Sequence, residues 1–178
     1  MKTIEIERKF LVRNNTWRAD AIASHAFQQA YLSHGSKNTV RVRIIDGLSA
    51  RLAVKFGRRG LKREEYEYEI PVAEAQELLR HANGRVLEKR RYDVSHKGRI
   101  WEVDVFGGAY QGLTIAEIEM STEDDKPVLP RWLGREVTGD KRFSNRTMAT
   151  HSFVSPALTH AATGIGTNHA RSSSWSRD

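Results

Sequence analysis

Charge in this sequence is sorted by parity along each strand-like stretch and by sign from one stretch to the next. In TIEIERKFLV (3–12), Glu5, Glu7 and Lys9 share one parity, while Ile4, Ile6, Phe10 and Val12 share the other, interrupted only by Arg8. Such a period of two makes a strand with two distinct faces. TVRVRII (39–45) repeats it, with Val40, Val42 and Ile44 against Arg41 and Arg43. Asp46-Gly47 is a hairpin turn signal. SARLAVKF (49–56) follows, with Leu52, Val54 and Phe56 against Arg51 and Lys55. In KREEYEYEIP (62–71), Arg63, Glu65, Glu67 and Glu69 oppose Tyr66, Tyr68 and Ile70. RVLEKRRYDV (85–94) places Lys89 and Arg91 on one parity. RIWEVDVF (99–106) sets Trp101, Val103 and Val105 against Glu102, Asp104 and Phe106, and LTIAEIEM (113–120) places Glu117 and Glu119 together. FQQAYLS (27–33) reads as a further short strand. Helical spacing is expected at 72–82, with a short helix at 17–25 and a last one at 140–150.

Eight antiparallel strands with few helices predict a mainly β fold, a closed or nearly closed barrel. Charged residues stand on one parity in seven of the eight. A solvated face mixes its charges with Ser, Thr, Asn and Gln, and these stretches do not. The pattern predicts an inward charged surface, where acids and bases must pair or meet a charged ligand that brings its own counter-ions. The apolar parity then faces outward, against helices or a second copy of the chain.

Arg and Lys bind phosphate, and paired carboxylates bind hard divalent cations. Phosphoryl transfer uses both. The 29 basic and 22 acidic side chains give a formal charge of +7, which favours an anionic partner. The patterned acids argue against a simple nucleic-acid patch. No cysteine is present, so disulfides and thiolate metal sites are excluded. No apolar run reaches membrane-span length and no apolar signal core opens the chain, so the expected setting is the cytoplasm. Phosphate-binding glycine loops of the G-x-x-x-x-G-K-[ST] type, His-Glu-x-x-His, nucleophile elbows and dinucleotide fingerprints do not occur.

The ordered set resembles the CYTH superfamily, the triphosphate tunnel metalloenzymes. It comprises Glu5-x-Glu7-x-Lys9, VRVR (40–43), Lys55, R-x-E-x-E (63–67), K-x-R-Y (89–92), WEVDVF (101–106), AEIE (116–119) and EVTGDKRFSN (136–145). EIERKFLV is similar to short bacterial members that resemble inorganic triphosphatases. The resemblance covers residues 1–151 and implies an eight-stranded antiparallel β-tunnel, with flanking helices and a charged interior, binding a small-molecule triphosphate with Mg²⁺ or Mn²⁺. It assigns the metal-side acids to Glu5, Glu7, Glu65, Glu67, Asp104, Glu117 and Glu119, with Glu5, Glu7 and Glu119 foremost. It assigns the phosphate-side bases to Lys9, Arg41, Arg43, Lys55, Arg63, Lys89 and Arg91. Tyr31 in QAYL matches a tyrosine that orients substrate, so the expected catalytic set is Glu5, Glu7, Lys9 and Tyr31. Glu69 and Glu102 share the inward parity but read as rim residues, and Lys141 and Arg142 fall near a tunnel mouth. The family often carries Tyr where this chain has Phe143.

Three activities remain open on sequence. One is hydrolysis of inorganic triphosphate to pyrophosphate and phosphate. The second is a nucleotide or thiamine triphosphate enzyme, including adenylyl cyclase, which needs a base-binding group such as Trp17, Tyr31 or Tyr110. The third is a non-catalytic polyphosphate-binding barrel, which has no use for the paired acids. No nucleic-acid or membrane partner is expected, and the outward apolar parity is compatible with a homodimer. Residues 152–178 are small, polar and without periodicity, and read as a disordered, low-complexity tail.

Overall fold

The computed structural model describes residues 2–33, 38–56 and 63–150, with the backbone course alone at 2–5 and 63. The tail expected at 152–178 lies outside the described residues. The strands are β1 (Lys2–Glu5), β2 (Glu7–Val12), β3 (Ala21–Ser33), β4 (Asn38–Ile45), β5 (Ser49–Phe56), β6 (Arg63–Ile70), β7 (Leu87–His96), β8 (Arg99–Phe106), β9 (Thr114–Glu119) and β10 (Leu133–Glu136). Two helices join them, α1 (Val72–Arg80) and α2 (Asn145–Thr150). Neither is long and apolar enough to cross a membrane.

All strands form one antiparallel sheet in the order β1-β6-β5-β4-β3-β7-β8-β9-β2-β10. Its two ends are not hydrogen-bonded to each other. Closure comes instead from the first strand, which is broken only at Ile6. Its β1 half pairs with β6 and its β2 half with β9, and the Met120 N–H donates to the Ile6 carbonyl at 2.7 Å. Taking β1 and β2 as one strand and β10 as an addition, the eight expected strands are all present.

Three local expectations change. The helix expected at 17–25 is a 3₁₀ turn (Thr16–Asp20) that seats Trp17, followed at once by the 13-residue β3. The expected 140–150 helix is a 3₁₀ turn (Lys141–Phe143) and the short α2. Strand β10 is new, and pairs along the edge of β2.

The apolar parity does face outward. On β3–β6 it packs Ala30, Val42, Ile44 and Ala50 under Ala75 of α1, with Leu78 and Leu79 alongside. On β2 and β7–β9 it packs Phe10, Val94, Trp101, Val103 and Ile118 under Trp17 and Trp132. Burying side chains of this size contributes about 1.5–3 kcal/mol each. A third cluster lies on the inner face, at the α2 end: Leu11, Tyr31, Leu87, Phe106 and Ile115 with Tyr110, Phe143 and Met148.

Candidate active site

Strand register fixes which charges meet. Lys9 stands opposite Glu117, and Glu7 opposite Glu119, across β2 and β9. Arg91 faces Asp104 across β7 and β8, and Glu102 faces Glu117 across β8 and β9. On the other wall, Lys55 faces Glu65, Arg51 faces Glu69, and Arg43 faces Arg51. Tyr31 faces Arg41, and the backbone of Glu5 pairs with that of Arg63. These positions share one side of the sheet, because a two-residue period keeps paired positions on one face.

The first wall is a chain of ion pairs. Lys9 Nζ lies 2.7 Å from Glu117 Oε1 and 3.0 Å from Glu7 Oε1. Arg91 Nη2 reaches the other oxygen of Glu117 at 3.0 Å. The same guanidinium grips Asp104 through Nε and Nη2, both at 2.7 Å, and contacts Glu102 through Nη1. Lys89 closes the series on Asp104, which is fully buried.

Burial disfavours every charge in this chain, and the partners decide the outcome. For Asp104 and Glu117 burial is outweighed by the neighbouring cations, and both carboxyls are held below their ordinary range. Lys9 is partly buried, which disfavours its charge, yet Glu117 and Glu7 hold its ammonium above the ordinary lysine value. At Lys89 burial wins, aided by Arg91, and the pKa falls to about 8.

The second wall is looser. Arg41 Nη2 lies 3.1 Å from Glu65 and 3.3 Å from Glu67, and Lys55 Nζ lies 3.2 Å from Glu65. Arg51 Nη1 bonds Glu67 at 2.8 Å. Between the walls stands Arg43, with no ion pair among the described residues. Burial, then Arg41 and Arg91, lower its pKa to about 10. The cations of Arg43, Lys89 and Arg91 all lie 5.3–5.8 Å from the centre of the Phe27 ring, whose π face offsets part of their repulsion.

A surface that holds cations and carboxylates in close pairs, with Arg43 outside any ion pair among the described residues, suits a polyanion arriving with divalent counter-ions. A family model described as the CYTH domain matches residues 3–152.

The chain belongs to the CYTH family.

An inorganic triphosphatase of Acetivibrio thermocellus is 41% identical over 150 residues, covering 84% of this chain and 95% of that protein. An inorganic triphosphatase of Nitrosomonas europaea is 34% identical over 148 residues, covering 82% and 96%. A crystal structure of an inorganic triphosphatase superposes with a TM-score of 0.62 at 32% identity, covering 82% of this chain and 94% of that one.

Of the CYTH residues expected from sequence, Lys9, Lys89, Arg91, Asp104 and Glu117 form one connected group, and Arg41, Lys55, Glu65 and Glu67 another. Glu7 joins the first group through Lys9, while Glu119 is exposed at its end. The side chains of Glu5 and Arg63 lie outside the described residues. Tyr31 sits in the inner apolar cluster, against the charged band. Glu69 is at the exposed rim, whereas Glu102 is tied to Arg91. Lys141 and Arg142 are exposed, and Arg142 folds back on Asp140 at 2.6 Å. Phe143 is buried in the inner cluster, where an added hydroxyl would need a partner.

Arg51 and Gln29 lie outside the site residues expected from sequence. The parity of Arg51 was visible, but its bond to Glu67 depends on the β5–β6 register. Gln29 carries no charge and so left no mark in the pattern.

The donor set suits a hard divalent cation, because every acidic side chain here offers carboxylate oxygen. Among the described residues no three acidic or imidazole side chains converge closely enough to hold an ion. Most of the carboxylates are turned onto cations of the chain itself, so metal binding competes with those ion pairs.

Proposed function

We propose that this chain hydrolyses inorganic triphosphate to pyrophosphate and phosphate inside the barrel, with Mg²⁺ or Mn²⁺ as the cofactor. The observation that carries this reading is the buried Lys9–Glu117–Arg91–Asp104–Lys89 chain. Its members exchange partners when a salt enters. The bases would pair with the triphosphate and the acids would hold a divalent cation, so that neither sign of charge is left unpaired in the low-dielectric interior.

Lys9, Arg41, Arg43, Lys55, Arg63, Lys89 and Arg91 bind the phosphates. Arg offers paired donors and Lys a point charge. Glu5, Glu7, Glu65, Glu67, Asp104, Glu117 and Glu119 hold the metal. The bound cation supplies neutralisation of phosphate charge and Lewis-acid assistance. Tyr31, opposite Arg41, orients the chain of phosphates. A water oxygen attacks the terminal phosphorus, the bridging P–O bond breaks towards pyrophosphate, and the water proton leaves to solvent or product.

Trp17, Tyr31 and Tyr110 are all buried in apolar clusters. None offers an open ring for a nucleobase or thiamine to stack on, which favours the inorganic substrate.

Phosphate release should be measured from tripolyphosphate, ATP and thiamine triphosphate in parallel, with Mg²⁺, Mn²⁺ or EDTA. Metal-dependent turnover that strongly favours tripolyphosphate is expected. Preference for ATP would move the assignment to a nucleotide enzyme, and binding without turnover to a receptor. Glu5→Gln and Glu7→Gln should each leave the fold intact and abolish turnover. Wild-type rates in either protein would remove that residue from the metal set.

A further inference from the structure

Gln29 is a polar side chain on the inner face whose amide nitrogen has no partner among the described residues to account for its burial. It is 1% exposed, and its amide Nε2 has no acceptor among the described residues. In register it stands opposite Arg43 on β4 and opposite Leu87 on β7. The Nε atoms of Arg41 and Arg43 are also buried without an acceptor among the described residues. Three unsatisfied donors therefore gather on neighbouring inner positions of two adjacent strands.

Buried donors are almost always bonded, and leaving one bare destabilises the fold. A cluster of three is complete only when something rich in oxygen supplies the acceptors. The indole N–H groups of Trp17, Trp101 and Trp132 also lack acceptors, but they belong to the outer apolar cluster, where ring packing accounts for their burial.

The place of Gln29 explains its chemistry. Leu87 packs with Leu11, Tyr31, Phe106 and Ile115, so Gln29 stands at the border between the charged band and the inner apolar cluster. A lysine or arginine there would press a full charge against hydrocarbon. A neutral amide donates to an anionic oxygen without that cost.

We infer that Gln29 is a substrate-binding residue: its amide Nε2 donates to an oxygen of the innermost phosphate of a bound linear triphosphate, beside Arg41 and Arg43. This rests on the anion site of the proposed function. It adds a neutral, depth-setting donor to a site otherwise built of charges.

The test compares wild type with Gln29→Met, which keeps the length and removes the donor. Two quantities are read in EDTA: the melting temperature of the free protein, and the Kd for tripolyphosphate by calorimetric titration. The free Gln29→Met protein should melt at the wild-type temperature or above it, because an unsatisfied donor is gone. Its Kd should rise about tenfold, the loss of one hydrogen bond to a charged group. Gln29→Glu, nearly the same shape with an acceptor in place of the donor, should raise the Kd further by repulsion. Should Gln29→Met fold poorly, Gln29→Glu carries the test alone.

A lower melting temperature with unchanged Kd in Gln29→Met would make Gln29 structural, as would wild-type affinity in Gln29→Glu, while leaving the proposed function standing. Failure of the wild-type protein itself to bind tripolyphosphate would remove the anion site and the role of Gln29 together.

Discussion

Lys9 joins two carboxylates of the site through one cation. Its ammonium lies between Glu117 and Glu7, and Glu117 in turn shares its other oxygen with Arg91. Lys9→Met removes the cation and keeps the stem. The expected result is at least a hundredfold loss in kcat/KM with tripolyphosphate, because one phosphate contact goes and two carboxylates are left to repel the substrate. Stability should fall by about 1–3 kcal/mol, less than for a fully buried broken pair because the Lys9 side chain keeps some exposure. Steady-state kinetics and urea denaturation give the two numbers separately. A stability loss without a kinetic loss would confine Lys9 to the scaffold.

At the scale of elements, the inner apolar cluster depends on how α2 is seated. The Arg85 N–H donates to the Ala149 carbonyl at 2.9 Å, and Tyr110 Oη donates to the Met148 carbonyl. Gly84 makes the approach possible: its φ is +115°, and a Cβ there would lie 2.3 Å from Ala149 O. Gly84→Ala should therefore unseat α2 and destabilise the protein by about 2 kcal/mol or more in urea unfolding. An unchanged midpoint would show that α2 does not support the cluster.

Legibility in the sequence followed the same scale. Strands β4, β5, β6 and β8 could be read because alternation is unbroken and Asp46-Gly47 marks the hairpin. The first half of β3 could not, since its alanines favour helix and only pairing with β7 overrides them. Strand β10 is four residues long and carries no period. The parity of the charged face was visible, but the match of each acid to its base was not. That match depends on register between strands distant in sequence, and Gln29 needed the burial of its neighbours to stand out.

For the whole molecule, stability should depend on pH in an unusual direction above neutrality. The pKa of Lys89 is about 8 when folded, against 10.5 for an ordinary lysine. Between these values the unfolded chain binds more protons, so raising the pH favours the folded state. The melting temperature of the free protein should climb from pH 8 to pH 10, and Lys89→Met should flatten the climb. Lys9, raised by its carboxylates, acts only above that window. On the acid side, Asp104 and Glu117 lie below their ordinary values, so their stabilisation is full above about pH 4.5 and is lost as pH falls further.

Closure through the broken first strand also sets a timetable for synthesis. Arg8 bonds a glutamate 128 residues further on, and Lys9 one 108 residues further on. At roughly 5–20 residues per second, this strand is synthesised roughly 6–25 s before its last partner, Glu136. Through that interval it is an amphipathic ribbon with bare edges, the kind of segment that chaperones hold and neighbouring nascent chains can capture. The barrel cannot be finished strand by strand in order of synthesis, and its earliest strand is among the last to be fully paired.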